Sequence, residues 1–322
     1  MSFLGPTDGR HESCLRPTGA PRKAITRHEV TAARVGRSSG RTALQAFKHV
    51  LGGTLFLLAS VSAHAQHGWM DRYQARLAAT QLEQPHWATP LITTAPRLEQ
   101  GFRTDFVHQS TAGGQSTWSY GNTQGLQFVP SRHIELRLSP PPFVTHTDRR
   151  VEDGFGDVAF RMKYRIYGSS EEHRNAILTA LFAASIPTGK SGNGSCCAVL
   201  TPTLELGKGF GRFALITSAG GSLPVSNVRN LGHQVIWNNA IQLRASRFVW
   251  VETELNANFF LGSRNDGREQ TFITPGVIVS RLPLTRGGPG RLVLTLGIGE
   301  QIALTHFTTY NHSAIFTSRL RF

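Results

Sequence analysis

The chain has 322 residues and a formal net charge of +14, of which residues 1–66 carry +6 and the rest carries +8. No run of basic residues interleaved with aromatic residues follows residue 66, which argues against a nucleic-acid partner. The hydrophobic content of 39% is low, and no later apolar stretch approaches the ~18 residues of a transmembrane helix, which excludes a helical membrane protein.

One continuous apolar stretch occupies residues 50–62, with the sequence VLGGTLFLLASVS. Lys48 precedes it and the small-residue motif Ala63-His64-Ala65 follows it. A positive flank, a short apolar core and a small-x-small end are typical of a secretory signal peptide. We therefore predict an extended leader over residues 1–65, with cleavage near Ala65.

Residues 1–47 are rich in Arg, Gly and Ser, and they show no hydrophobic periodicity. They are far longer than the positive region of an ordinary signal peptide. We therefore expect translation to start nearer Val30 or Val35 than Met1.

Residues 66–95 are predicted to form a short amphipathic helix and a linker. Trp69, Tyr73 and Leu77 recur at helical spacing, and prolines at 85, 90 and 96 then interrupt the chain. Two placements stay open at this point. The segment lies in the periplasm, or residues 67–84 fold back into a pore as a plug.

From Pro96 onward, short segments alternate apolar and polar residues between clusters of Gly, Pro, Asn and Ser. In residues 157–166, DVAFRMKYRI, one face is apolar and the other largely charged. About twelve such segments fit residues 96–322. They predict an all-β fold, a transmembrane antiparallel up-and-down β-barrel. Their predicted ranges are 97–109, 117–129, 132–140, 154–167, 175–187, 198–207, 211–223, 233–245, 247–261, 270–281, 290–304 and 312–322.

The connections and the chain end also favour a barrel. Longer and shorter connections mostly alternate, as they do between the two sides of an outer-membrane barrel. The last segment alternates and finishes on Phe322. We expect it to be the closing strand, facing outer-membrane lipid and recognised by the barrel-assembly machinery. Aromatic residues at strand ends, Trp250 among them, are expected to form girdles at the headgroups.

The charged faces of the predicted strands would line a wet lumen. The set is mixed in sign, so that it could brace the barrel, shape a path for solutes, or do both. The predicted lumen-lining residues are Arg103, Asp105, Glu135, Arg137, Asp157, Arg161, Lys163, Arg165, Glu205, Arg244, Glu252, Glu254, Arg319 and Arg321.

The sequence contains only weak matches to catalytic, phosphate-binding and metal-binding motifs. Gly189-Lys190-Ser191 imitates a phosphate-binding loop, but the first glycine of that motif and the following helix are missing. The adjacent Cys196 and Cys197 could bind a soft metal, form a strained redox bridge, or have no role. The histidines show no zinc-site spacing. We predict no catalytic residue, no cofactor and no metal site.

Several of these segments resemble one family of outer-membrane barrels. Gly154-Phe155-Gly156-Asp157-Val158, running into Lys163-Tyr164, resembles the G-x-G-D strand of the putative meta-pathway phenol-degradation (MetA-type) family. Residues 185–190, SIPTGK, and the hairpin over residues 201–215 follow in that family's order. The resemblance covers residues 96–322 and implies a barrel transporter that passes hydrophobic or aromatic compounds.

The sequence therefore favours a non-enzymatic barrel in the outer membrane of a Gram-negative-type bacterium, open to passive passage of small solutes, hydrophobic or aromatic compounds among them. Outer loops such as 141–153 and 188–197 would control access. The alternatives are a structural or adhesive barrel without transport and an outer-membrane lipid-modifying enzyme with a Ser-His pair.

Overall fold

The computed structural model describes residues 67–190, 192–285 and 292–322. The predicted leader, with its signal peptide and Ala65, lies outside the described residues. Helix α1 spans His67–Leu82 and helix α2 spans Val228–Leu231. Among the described helices, none has the length and apolarity to cross a membrane.

The rest is almost entirely β-structure, and the predicted fold class is confirmed. The strands are β1 Gly101–Ser110, β2 Ser116–Phe128, β3 Ile134–Ser139, β4 Phe143–His146, β5 Gly154–Phe155, β6 Val158–Ser169, β7 Ala176–Ile186, β8 Val199–Phe210, β9 Phe213–Pro224, β10 His233–Arg244, β11 Val249–Leu261, β12 Glu269–Pro283, β13 Val293–Ala303 and β14 His312–Arg321.

These strands form one closed antiparallel barrel with twelve wall positions. From β7 to β13 each strand pairs with its sequence neighbours, and β1 pairs with both β2 and β14, which closes the sheet. Strands β3 and β4 share one position, since both pair with β2, and the three prolines at 140–142 separate them. Strands β5 and β6 likewise form one interrupted position. We call the rim where β1 begins the lower rim and the rim where it ends the upper rim.

The two faces of the wall differ in polarity, as the alternating sequence requires. In β6 the side chains of Phe160, Met162 and Tyr164 are exposed on the outside, whereas Lys163 and Arg165 are buried inside. Because the sheet is closed, it has no free edge, and the backbone N–H and C=O groups of the strands can bond to neighbouring strands. A β-structure must meet this condition to span a bilayer.

Proline 275 sits within β12, the strand with the weakest sequence pattern. It pairs with Thr253 of β11, but the ladder to β13 passes from Ile273 to Gly276 without using 274 or 275. Because proline has no N–H to donate, the gap falls at the residue that cannot contribute a ladder bond.

The described residues belong to two units. One consists of residues 67–75 at the start of α1, where the rings of Trp69 and Tyr73 stack at 5.8 Å. The other runs from Arg76 to Phe322 and contains the barrel. Within it, the irregular residues 83–100, which we call the inner segment, lie inside the barrel.

The predicted first strand, 97–109, starts too early. Strand β1 begins at Gly101, because the backbone groups of residues 97 and 99 bond to wall side chains instead of a neighbouring strand. Lys163 Nζ donates to the carbonyl of Arg97 at 3.2 Å, and Glu99 N–H donates to Glu135 Oε2 at 2.6 Å.

Candidate functional site

The inner segment rises from the lower rim, reaches the middle of the barrel and returns to the start of β1. Near the lower rim, His86 N–H donates to Glu171 Oε1 at 3.0 Å. Its middle part, residues 91–93, lies beside β11. On the return, Leu98 N–H donates to Gln84 Oε1 at 3.0 Å, so the two arms of the segment are bonded to each other. The segment therefore fills the lower half of the interior.

Two carboxylates of β11 bind the top of the inner segment. Glu252 Oε1 accepts the N–H of Leu91 at 2.9 Å. Glu254 accepts two backbone groups, from Ile92 at 2.8 Å and from Thr93 at 2.5 Å. Hydrogen bonds from N–H groups to a carboxylate are among the strong ones when the acceptor is ionised.

Basic wall residues bind the carbonyl groups of the same segment. Arg103 Nη2 donates to Leu91 O at 2.6 Å, and Lys163 Nζ donates to Ala95 O at 2.8 Å. Arg319 donates to the carbonyls of residues 89 and 90. Thr179 Oγ1 donates to the carbonyl of residue 96 at 2.6 Å. Acidic side chains of the wall thus accept hydrogen bonds from the N–H groups of the segment, and basic or hydroxyl side chains of the wall donate to its carbonyl groups.

The inner segment also carries its own buried ion pair. Arg97 forms a salt bridge with Glu99, and Thr89 Oγ1 donates to Glu99 Oε1 at 2.6 Å. At the lower rim, Arg165 pairs with Glu83 at 2.7 Å. We did not anticipate these inner-segment residues, because a linker gives no periodic signal by which its polar side chains could be assigned to a lumen.

Glycines of the wall form a socket for the inner segment. A Cβ atom added to Gly276 would lie 2.4 Å from Leu91 Cδ1, and one added to Gly299 would lie 2.5 Å from the same atom. At Gly207 of β8 an added Cβ would lie 2.4 Å from the Trp87 ring. Since real Cβ atoms do not approach this closely, these glycines let the two large side chains lie against the wall backbone.

An apolar cluster surrounds this socket inside the barrel. Trp87 and Leu91 pack there with inward-facing wall residues, Ile177, Ile216 and Ile278 among them. Trp250, expected in an aromatic girdle, is only 3% exposed and belongs to this cluster. That expectation was wrong because Trp250 shares the face of Glu252 and Glu254, which the strand turns inward.

The upper half contains a cavity of about 110 Å³. Side chains of β1–β4, β6 and β7 line it together with the loop residues Asn193 and Ser195. Arg161 lies at its floor, where it also borders a narrow gap beside the inner segment. The interior is therefore divided into a filled lower half and an upper cavity.

Asp157, at the interruption between β5 and β6, fixes the loop that borders this cavity. Its carboxylate accepts the N–H groups of Thr188 at 3.1 Å, Gly189 at 2.9 Å and Ser195 at 2.7 Å. Thr188 Oγ1 in turn accepts the N–H of Val158 at 2.9 Å. The Gly189-Lys190 motif thus belongs to a turn between β7 and β8 that these hydrogen bonds hold in place.

The remaining residues predicted to line the lumen lie at several depths. Asp105 accepts from Arg103 Nε at 2.9 Å and from Thr317 Oγ1 at 2.5 Å. Arg137 and Glu205 are buried in the interior. Arg244 and Arg321 are partly exposed at the lower rim, where Arg244 lies 3.9 Å from Glu171.

Cys196 and Cys197 lie in the loop between β7 and β8, and both are free thiols. Cys196 is exposed, whereas Cys197 is buried with its Sγ 3.3 Å from the carbonyl of Ser226. Burial raises the pKa of the Cys197 thiol. No set of three or more His, Cys, Asp and Glu residues suited to a metal ion occurs in the described ranges.

Comparisons with known proteins identify structures but no family. No protein-family model and no curated protein matches the chain, so the MetA-type resemblance stays a prediction. The NanC porin is similar over 69% of this chain and 98% of its own, at 8% identity and a TM-score of 0.46. The COG4313 outer membrane channel from Pseudomonas putida F1 is similar over 73% of this chain and 98% of its own, at 13% identity and a TM-score of 0.47.

Proposed function

We propose that this protein is an outer-membrane barrel that lets small solutes cross the membrane by passive diffusion. The observation that carries the proposal is the reversed polarity of the closed wall. Large apolar side chains such as Leu138, Ile241 and Ile298 are more than half exposed on the outside, while charged residues fill the inside. A lipid-facing exterior around a polar interior is the arrangement of outer-membrane channels.

In this proposal the inner segment controls passage. It occupies the lower half of the interior, and the gap left beside it, about 10 Å³, is of the size of a single water. Solutes would cross when the segment leaves its socket. The hydrogen bonds that hold it can be exchanged for water and for ion pairs across the wall, which makes release feasible without opening the barrel.

The solutes proposed are small, and the MetA-type resemblance suggests hydrophobic or aromatic compounds among them. The predicted secretory leader and the exposed apolar exterior support placement in the outer membrane of a Gram-negative bacterium. Strand β14, which closes the barrel on β1, would be the strand that the assembly machinery recognises.

Reconstitution of the purified full-length protein into liposomes tests this function. We expect liposomes that contain the barrel to swell with small solutes and more slowly with solutes of increasing size. A sugar, an amino acid and benzyl alcohol form a suitable panel. Liposomes with folded protein that swell no faster than empty ones would contradict passage and favour a structural or adhesive barrel.

A further inference from the structure

Two arginines lie side by side on neighbouring strands of the wall, beside the upper cavity. Arg137 of β3 and Arg161 of β6 are direct partners in the antiparallel ladder, and both belong to the inward-facing set. Like charges at directly opposed positions repel each other, and the repulsion is stronger away from bulk water. The pair therefore needs a compensating negative charge.

Two of the three neighbouring acids are already engaged. Asp105 is bonded to Arg103, and Glu135 lies 3.5 Å from Lys163 and accepts the N–H of residue 99. The third acid, Glu205 of β8, is buried in the interior, and its two carboxylate oxygens have no hydrogen-bond partner among the described residues. Across the described parts of the chain, neither Arg137 nor Arg161 forms an ion pair with any of them.

Asp157, the acid that lines the upper cavity, is occupied too. Its oxygens accept three loop N–H groups, those of residues 188, 189 and 195. A carboxylate with that many backbone donors is committed to the loop, which leaves the arginine pair without an ion-pair partner among the described residues.

Arg137 has free donors despite its burial. It is 3% exposed, and its Nε and Nη2 atoms have no hydrogen-bond partner in the portion of the chain described. A buried charge without a partner is costly. Ser119 Oγ, on the wall of the upper cavity, also lacks a partner there. Arg137 and Ser119 therefore both carry unused hydrogen-bonding capacity, Arg137 at the narrow gap and Ser119 in the upper cavity, and Arg161 borders both spaces.

We propose that this region binds a small organic carboxylate, with its two oxygens between the guanidinium groups of Arg137 and Arg161 and its body in the upper cavity. Guanidinium and carboxylate groups match in shape and form paired N–H···O bonds. The cavity volume of about 110 Å³ is comparable to that of an engineered cavity of about 150 Å³ that holds benzene. The proposal rests on the proposed function and names the solute class for it.

Calorimetric titration of the purified full-length barrel in low-chloride detergent buffer tests the proposal. Benzoate is the probe, and benzyl alcohol is its uncharged counterpart. We expect benzoate to bind at least tenfold more tightly than benzyl alcohol. The substitutions Arg137→Gln and Arg161→Gln should each weaken benzoate binding about tenfold or more. Arg150→Gln, at a loop arginine whose side chain is 77% exposed, should leave it unchanged.

A second measurement covers the case in which a variant fails to fold. The thermal midpoint of the wild-type barrel should rise with benzoate and stay constant with benzyl alcohol. Equal binding of the two probes, no stabilisation by benzoate, or undiminished binding to a folded double variant would each overturn the proposal.

The result is also separable from the swelling experiment. A barrel that passes solutes but does not bind benzoate overturns the carboxylate site alone. One that binds benzoate but passes nothing overturns passage alone.

Discussion

Glu252 and Glu254 show how a charged lumen residue can serve a neighbouring peptide. Both are nearly inaccessible to solvent, and both use their oxygens on main-chain N–H groups of the inner segment. Gln242 Nε2 donates a further bond to Glu252 Oε2 at 2.8 Å, which fixes that carboxylate in place. Half of the charges that the sequence assigns to a water-filled path are, in this structure, committed to holding one segment of chain.

Replacement of one of these carboxylates should loosen the segment locally. Glu254→Gln keeps one acceptor oxygen but sets an NH2 group against an N–H donor of residue 92 or 93. A loss of about 1–3 kcal/mol is typical for such a site, so we expect roughly tenfold faster amide exchange at Ile92 and Thr93. Hydrogen-exchange mass spectrometry measures this. Glu269→Gln, at an exposed residue of β12, is the matched control. Equal amide exchange at residues 92 and 93 in both variants would show that Glu254 does not hold the inner segment.

The two cysteines should differ in reactivity. The thiolate is the reactive form, and burial both shields Cys197 and raises the pKa of its thiol, whereas Cys196 is exposed. At pH 8 we expect iodoacetamide to label Cys196 roughly tenfold faster or more. Peptide mass spectrometry separates the two sites when Cys196→Ser and Cys197→Ser are compared. Similar rates for the two single variants would contradict the loop structure.

At the scale of elements, the inner segment and the strands β8, β12 and β13 are matched in shape. Large side chains of the segment lie where the strands carry glycine, and the apolar cluster continues from there to β11. Glycine is ordinarily unfavourable in a strand, so its place opposite Leu91 and Trp87 has a packing reason.

This match predicts a non-additive pair of substitutions. Leu91→Ala should cost about 2–5 kcal/mol of unfolding free energy, because it empties a filled site. Gly276→Ala should also destabilise, since its methyl group would meet Leu91. The double variant should cost less than the sum of the two single changes. Denaturant titration in detergent measures the three values.

A control for the glycine change lies on β9. An added Cβ at Gly221 has its nearest neighbour at 3.6 Å, an ordinary contact, so Gly221→Ala should be nearly neutral. Strict additivity of the Leu91 and Gly276 changes would show that the two residues do not share a socket.

The strands could be predicted well and the inner segment could not. Alternation places the β6 residues from Val158 to Ile166 on the correct faces, because a strand has a period of two and only one face meets the interior. Residues 83–100 have no period, and their conformation is set by distant partners such as Glu254 and Arg319. Contacts between residues 160 or more positions apart leave no local pattern in a single sequence.

The whole molecule is a closed barrel whose lower half is filled by its own chain and whose upper half holds a cavity. The wall has a lipid-compatible exterior. Some of its interior charges bind the inner segment, and Arg137 and Arg161 lie above that segment without an ion-pair partner among the described residues. In the proposed function, transport is a competition between the inner segment and solvent for the same wall side chains.

Single-barrel conductance in planar bilayers shows whether release of the inner segment opens a path for solutes. The comparison is between the wild type, the double variant Glu252→Gln and Glu254→Gln, and the control Glu269→Gln. We expect the double variant to be open for a larger fraction of time, while the control behaves as the wild type does. Unchanged conductance in a folded double variant whose 91–93 amides exchange faster would contradict it, because the segment would then have been released without opening a path.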